Sequence, residues 1–229
     1  MKEFEKKFVE KCDKLLIQTS ERIKENEEML SLITDIIIMS DEALKNFSKQ
    51  KKKRMNALKY EYILQKKLCS FSAYLNFFIM DILTSLKYLC ITEHTQEKKY
   101  FIKQSFASIF EFITRITCKE SQKIKTEIGK NNMELVDKYD LMISELVNFA
   151  QTHSFKRMED IRNKISNHYD EDALLYIKHT NELDEISALV EIQNVFLLIE
   201  NCSKFNDSVM PILAVKIENN NKILAQINA

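Results

Sequence analysis

Leu68-Cys-Ser-Phe-Ser-Ala-Tyr-Leu-Asn-Phe-Phe-Ile-Met-Asp-Ile-Leu-Thr-Ser-Leu-Lys-Tyr-Leu-Cys-Ile91 is the most apolar stretch of the chain, and how it is read decides the fold. Its length approaches that of a membrane span, for which about 20 apolar residues suffice. Asn76, Asp81 and Lys87 interrupt it, however, and ionisable groups at mid-bilayer depth are costly. No basic flank sets an orientation, and the neighbouring segments are equally amphipathic. The stretch reads as a central helix of a bundle, with no membrane partner and a cytoplasmic setting.

The residues around it agree. The 229-residue chain has a single glycine, Gly129, and a single proline, Pro211. Sheet proteins place glycine, proline, Asn-Gly or Asp-Gly at their turns, and this chain has no such dipeptide. The fold class is therefore all-α, a multi-helix bundle with long antiparallel helices. The same scarcity excludes a P-loop and a dinucleotide fingerprint, which need several glycines so that backbone N–H groups can approach phosphate. The nucleophile elbow Gly-x-Ser-x-Gly is absent as well. Cys12, Cys69, Cys90, Cys118 and Cys202 are scattered and form no Cys-x-x-Cys, so they read as small apolar residues of a reduced protein.

Upstream, Phe4, Phe8, Cys12, Leu15, Ile23, Leu30, Ile33 and Ile37 recur at threes and fours, predicting a helix over residues 2–38. Ser40-Asp41-Glu42 reads as the N-cap of a second helix through about Gln65. Downstream, Thr95 or Gln96 opens a helix to about Thr117 that carries Phe106, Ile109, Phe110 and Ile113. Beside its apolar face lies Glu111, read as a surface carboxylate in preference to a buried polar partner. Gly129 marks a stop within one domain of residues 1–229, dividing it into subregions 1–129 and 130–229. Residues 133–150 are again helical in spacing, and Thr152 or Ser154 can cap the next helix. Asn181-Glu-Leu-Asp-Glu opens another, and a last helix begins near Asp207-Ser208 with Pro211 in its first turn.

Net charge is zero but uneven. Residues 1–130 carry 25 Lys and Arg against 18 Asp and Glu; residues 131–229 carry 9 against 16. A polyanion would meet the first part more readily, and equally the two parts attract each other. Lys49-Gln-Lys-Lys-Lys-Arg54 is the densest basic run; Lys51, Lys52, Lys53 and Arg54 serve either as a solvated helix segment or as phosphate contacts.

One segment promises more than a scaffold. Arg162-Asn163-Lys164-Ile165-Ser166-Asn167-His168-Tyr169-Asp170 combines one of five arginines with one of four histidines. The plainer reading makes His168 a helix end and pairs Arg162 with Glu159 or Asp160 on the surface. The segment also resembles the signature of the HEPN superfamily, in which an arginine, often followed by a polar residue, precedes a histidine by four to six positions. The resemblance covers about ten residues of the chain. It implies a small all-α domain in which two motifs meet across a homodimer as a metal-independent endoribonuclease, without cofactor. It further implies a setting among toxins or antiphage abortive-infection factors, with an antitoxin or defence-system partner. Other members of the superfamily have lost the activity and bind ligands or serve as structural modules.

The residue chemistry suits that activity. Histidine titrates near neutrality, so His168 could take the ribose 2′-OH proton or protonate the leaving oxygen. The planar guanidinium of Arg162 offers paired donors to the charge that grows on phosphorane oxygens, and Asn163 could orient His168 or a phosphate oxygen. Lys164 and Tyr169 are candidate substrate contacts beside them. Six residues at 3.6 per turn leave Arg162 and His168 roughly 120° apart on a helix. They converge only if the helix stops near Asn167 or a second copy completes the site. No His-Glu-x-x-His occurs, and no metal site is expected. The expected function is cleavage of single-stranded RNA; the rivals are a non-catalytic helical interaction module and an RNA binder that makes no cut.

Overall fold

The computed structural model describes residues 3–117, 124–125, 128, 133–163 and 180–228. Six helices of nine residues or more account for nearly all of them: α1 (Glu3–Asn46), α2 (Lys49–Ile91), α3 (Thr95–Ile116), α4 (Met133–Ala150), α5 (His153–Ile161) and α6 (Glu185–Asn228). The class is all-α, and no strand occurs among the described residues.

Three helices are much longer than the sequence reading allowed. α1 does not stop at Ser40, whose hydroxyl instead donates to the Ile36 carbonyl at 2.7 Å, one turn back. Thr19 and Thr34 do the same toward Leu15 and Leu30. A hydroxyl bonded in this way is satisfied inside a helix and sends no stop signal. The break comes at Phe47-Ser48, where the Ser48 hydroxyl accepts from the Lys51 N–H as the N-cap of α2. α2 then runs unbroken through Gln65 to Ile91. α6 likewise passes through Asp207 and Ser208, and Ser208 donates to the Lys204 carbonyl at 2.9 Å. Pro211 therefore lies deep inside a helix and not in an opening turn. The other expected starts agree: α3 begins at Thr95, and Thr152 caps α5 by accepting from the Phe155 N–H at 3.2 Å.

α2 is the organising element. It is the one helix among those described that is long and apolar enough to cross a membrane by length and composition. α1 lies along it as a long antiparallel hairpin partner, and α3 and α6 pack on another side. Phe71, Leu75, Phe78 and Ile82 of α2 meet Ile102, Phe106, Ile109 and Phe112 of α3, with Phe78 and Phe112 stacked at 4.0 Å between ring centres. Met142 of α4, Met158 of α5 and Ile192, Val195 and Phe205 of α6 join the same core. Residues on both sides of Gly129 thus share one interior. A second apolar cluster, built on Ile33, Met55, Leu58, Tyr62, Leu213 and Ile217, ties α1 and α2 to the end of α6. There the Tyr62 hydroxyl donates to Asn221 at 2.6 Å.

The opposite charges of the two parts do meet. Arg22 pairs with Asp207, Lys98 with Glu185 and Lys125 with Asp140, at 3.2, 3.0 and 2.6 Å. Each is partly exposed and stabilises by at most about 1 kcal/mol.

Candidate functional site

α5 is short, and its sequence dictates how it sits. Phe155, Met158 and Ile161 recur every third residue and are buried against α3, leaving Arg162 to emerge just beyond the last turn. Its backbone keeps helical angles, and the side chain reaches across to α3. The guanidinium Nε donates to Glu111 Oε1 at 2.8 Å, and Nη2 donates to the same oxygen. Nη1 donates to Asn163 Oδ1 at 3.0 Å. The Arg162 carbon Cζ lies 5.6 Å from the centre of the Phe110 ring, which itself stacks on Phe155 at 5.4 Å. Glu111 and Asn163 on its rim, with Phe110 beneath, hold the group. The Arg162 side chain is 27% exposed and that of Glu111 55%.

One turn along α3 from Glu111, Arg115 lies over Tyr74 of α2, its Cζ 3.8 Å from the ring centre, and also donates to the Tyr74 hydroxyl. The exposed edge of the α2–α3–α5 junction thus carries two guanidinium groups, one carboxylate and two aromatic rings.

Sequence reasoning placed some of this correctly and missed the rest. Asn163 accepts from Arg162, a contact the sequence reading had not assigned to it. Glu111 is an exposed carboxylate, as read, but its role as the partner of Arg162 was missed, as were Phe110, Arg115 and Tyr74. The expected surface pairing of Arg162 with Glu159 or Asp160 is corrected: the strong acceptor comes from another helix, because α5 turns its Arg162 toward α3. The one local signal was Glu111 and Arg115, four apart beside an otherwise apolar face. Lys164, His168 and Tyr169 lie outside the described residues. The basic run lies elsewhere: Lys51, Lys53 and Arg54 are exposed at the start of α2, with Lys51 5.7 Å from the Phe47 ring centre. Twenty residues of helix, roughly 30 Å, separate Arg54 from Tyr74. The run and Arg162 do not share one site within a copy.

Other reactive groups are placed as structure. Burial pushes the Cys12 and Cys69 thiols up to about 11 and that of Cys202 up to about 12. Cys69 donates weakly to Asn26 in the α1–α2 contact. Among the described residues, no three His, Cys, Asp or Glu side chains converge as metal ligands would. His94 stands at the N-cap of α3 without a side-chain cap bond, and His153 is exposed at the start of α5. No family model, curated protein or solved structure matches this chain.

Proposed function

We propose that this protein is a HEPN-like, metal-independent endoribonuclease acting on single-stranded RNA as a homodimer, in the cytoplasm and in a toxin–antitoxin or antiphage setting. The observation that carries the reading is the seating of Arg162. Its guanidinium is oriented by Glu111 and Asn163 over Phe110, at an exposed edge, two residues before the segment that supplies His168. An arginine in this position is a suitable phosphate ligand: fixed in direction, and able to exchange one acceptor oxygen for another.

In the proposed reaction one His168 imidazole takes the proton of the ribose 2′-OH. The 2′-oxygen attacks phosphorus and the P–O5′ bond breaks. A second His168, from the other copy, gives its proton to the leaving 5′-oxygen. Arg162 stabilises the charge that accumulates on the phosphorane oxygens. Glu111 and Asn163 act as positioning residues.

The test compares purified wild type, Arg162→Ala and His168→Ala on single-stranded RNA in EDTA. Cleavage should fall about 10²–10⁴-fold for His168→Ala and about 10²–10³-fold for Arg162→Ala, with unchanged circular dichroism. A wild type that cuts no RNA contradicts the reading. Uncut RNA bound in a salt-sensitive way, and lost on charge reversal at Lys51, Lys52 and Lys53, would indicate an RNA binder instead.

A second reading has its own support. On α6, Ile186, Val190 and Leu197 share one face and are 75%, 53% and 65% exposed. Such a face suits a helical interaction module, for which His168→Ala would be silent.

A further inference from the structure

α2 carries a second pattern on its outward side. Tyr60, Ile63, Lys67, Ser70, Tyr74, Phe77, Asp81, Thr84, Tyr88 and Ile91 follow one another at alternating spacings of three and four. Six of the ten are aromatic or aliphatic, at the heptad spacing with which one helix pairs with another, over more than four repeats. Much of this seam is open: Tyr60, Phe77, Tyr88 and Ile91 are 47%, 55%, 45% and 44% exposed, while Tyr74 and Tyr88 each keep one ring face on α3, against Arg115 and Phe101. The seam is ~47 Å long at 1.5 Å per residue.

Two of its members, Lys67 and Asp81, are charged. Neither Lys67 nor Asp81 makes an ion pair or hydrogen bond with any described residue. Burial by neighbouring side chains raises the Asp81 carboxyl above its ordinary value. A charge at such a position weakens a seam unless the partner answers it, and so selects the partner and its register.

We infer that the α2 seam is the interface between two copies of this chain, paired antiparallel about a two-fold axis between Tyr74 and Phe77. In that register Tyr60 faces Ile91 of the second copy, Ile63 faces Tyr88, Lys67 faces Thr84, Ser70 faces Asp81 and Tyr74 faces Phe77. Apolar meets apolar and polar meets polar at every layer. Lys67 then lies one layer, about 4.5 Å along the axis, from Asp81 of the second copy. By symmetry the pair forms twice. Sliding by one heptad in one direction sets Asp81 against Ile63 and Lys67 against Phe77. Sliding in the other direction sets Asp81 against Phe77 and Lys67 against Ile91. A parallel arrangement opposes Lys67 to Lys67 and Asp81 to Asp81. Only the first arrangement leaves no charge on an apolar residue or a like charge.

Two further observations agree. At the Ile91 end a hollow of about 420 Å³ opens, with Tyr88, Ile91, Tyr100 and Phe101 on one side and the polar Thr92–Glu97 turn on the other, where this register delivers Tyr60 of the second copy. At the centre, Tyr74 is the residue that Arg115 covers, and Glu111 with Arg162 lies one turn farther along α3. The seam stands on α2 alone, whereas its link to RNA cleavage rests on the nuclease reading.

The test is the association of the full chain by sedimentation equilibrium, with cleavage assayed on the same samples. Wild type should be a dimer. Lys67→Asp and Asp81→Lys should each weaken it about tenfold or more, because each homodimer now opposes like charges twice. An equimolar mixture of the two variants should recover wild-type affinity, as should the double variant carrying both changes. Phe77→Asp, at an exposed position, should give a folded monomer. A monomeric wild type, or charge variants that neither weaken the dimer nor recover on mixing, would overturn the inference. So would a monomer that binds phosphatidylglycerol vesicles through Phe77. A dimer that passes these tests yet cuts no RNA sinks the nuclease reading alone; a dimer that cuts RNA but is indifferent to Lys67, Asp81 and Phe77 sinks the seam alone.

Discussion

At the scale of single residues, Glu111 is the side chain whose part in the site was hardest to foresee. Nothing local to Arg162 names it, because the two are 51 positions apart and meet only when α5 folds over α3. The motif itself was legible as Arg162 followed by Asn163, since residue type and spacing are properties of the sequence. The partner was not, because an ion pair between elements depends on packing. If Glu111 positions Arg162, Glu111→Gln should lower kcat for RNA about tenfold, with KM nearly unchanged and Glu111→Asp partly restoring it. Stability should shift by less than about 1 kcal/mol, as expected for an exposed pair. Arg162→Lys should not rescue Arg162→Ala, because an ammonium lacks the planar fork.

At the scale of elements, the helical class was readable from one glycine and one proline, but the helix boundaries were not. Ser40 and Ser208 have the composition of caps and act as interior residues, each donating to the carbonyl one turn back. A serine hydroxyl does either job, and the choice falls to the apolar face that continues past it. Ser48 is the true cap, so Ser48→Ala should cost about 1 kcal/mol, whereas Ser40→Ala should cost less. Pro211 is exposed inside α6 and cannot donate to the turn before it. Pro211→Ala should therefore stabilise the protein, by up to about 3 kcal/mol in chemical denaturation. The contrast separates a proline in a helix interior from one in a first turn, where the same change would be nearly neutral.

At the scale of the whole molecule, the long α1–α2 hairpin, α3 and α6 bury an interior of two apolar clusters, each fed from both charge halves. Phe106 is wholly buried at its centre, and Phe106→Ala should cost about 3–5 kcal/mol. The interior also sets an alkaline limit. Cys12, Cys69, Cys202 and Tyr62 are held neutral by burial, with values raised from 9.0 for the thiols and 10.0 for the phenol to about 11 or 12. Their contribution is intact below the ordinary values and is lost as pH rises through the raised ones. Stability should hold near pH 8 and fall between about pH 9 and 12, and these three thiols should resist alkylation at pH 8 until the chain unfolds. The proposal that the molecule is an RNA-cutting dimer is tested most directly by the ends it leaves. Single-stranded RNA incubated in EDTA with wild type, and in parallel with His168→Ala, is analysed by mass spectrometry. The account predicts 2′,3′-cyclic phosphate and 5′-hydroxyl ends from the wild type and intact RNA from the variant. RNA left whole by both proteins, or the same ends from both, would contradict it.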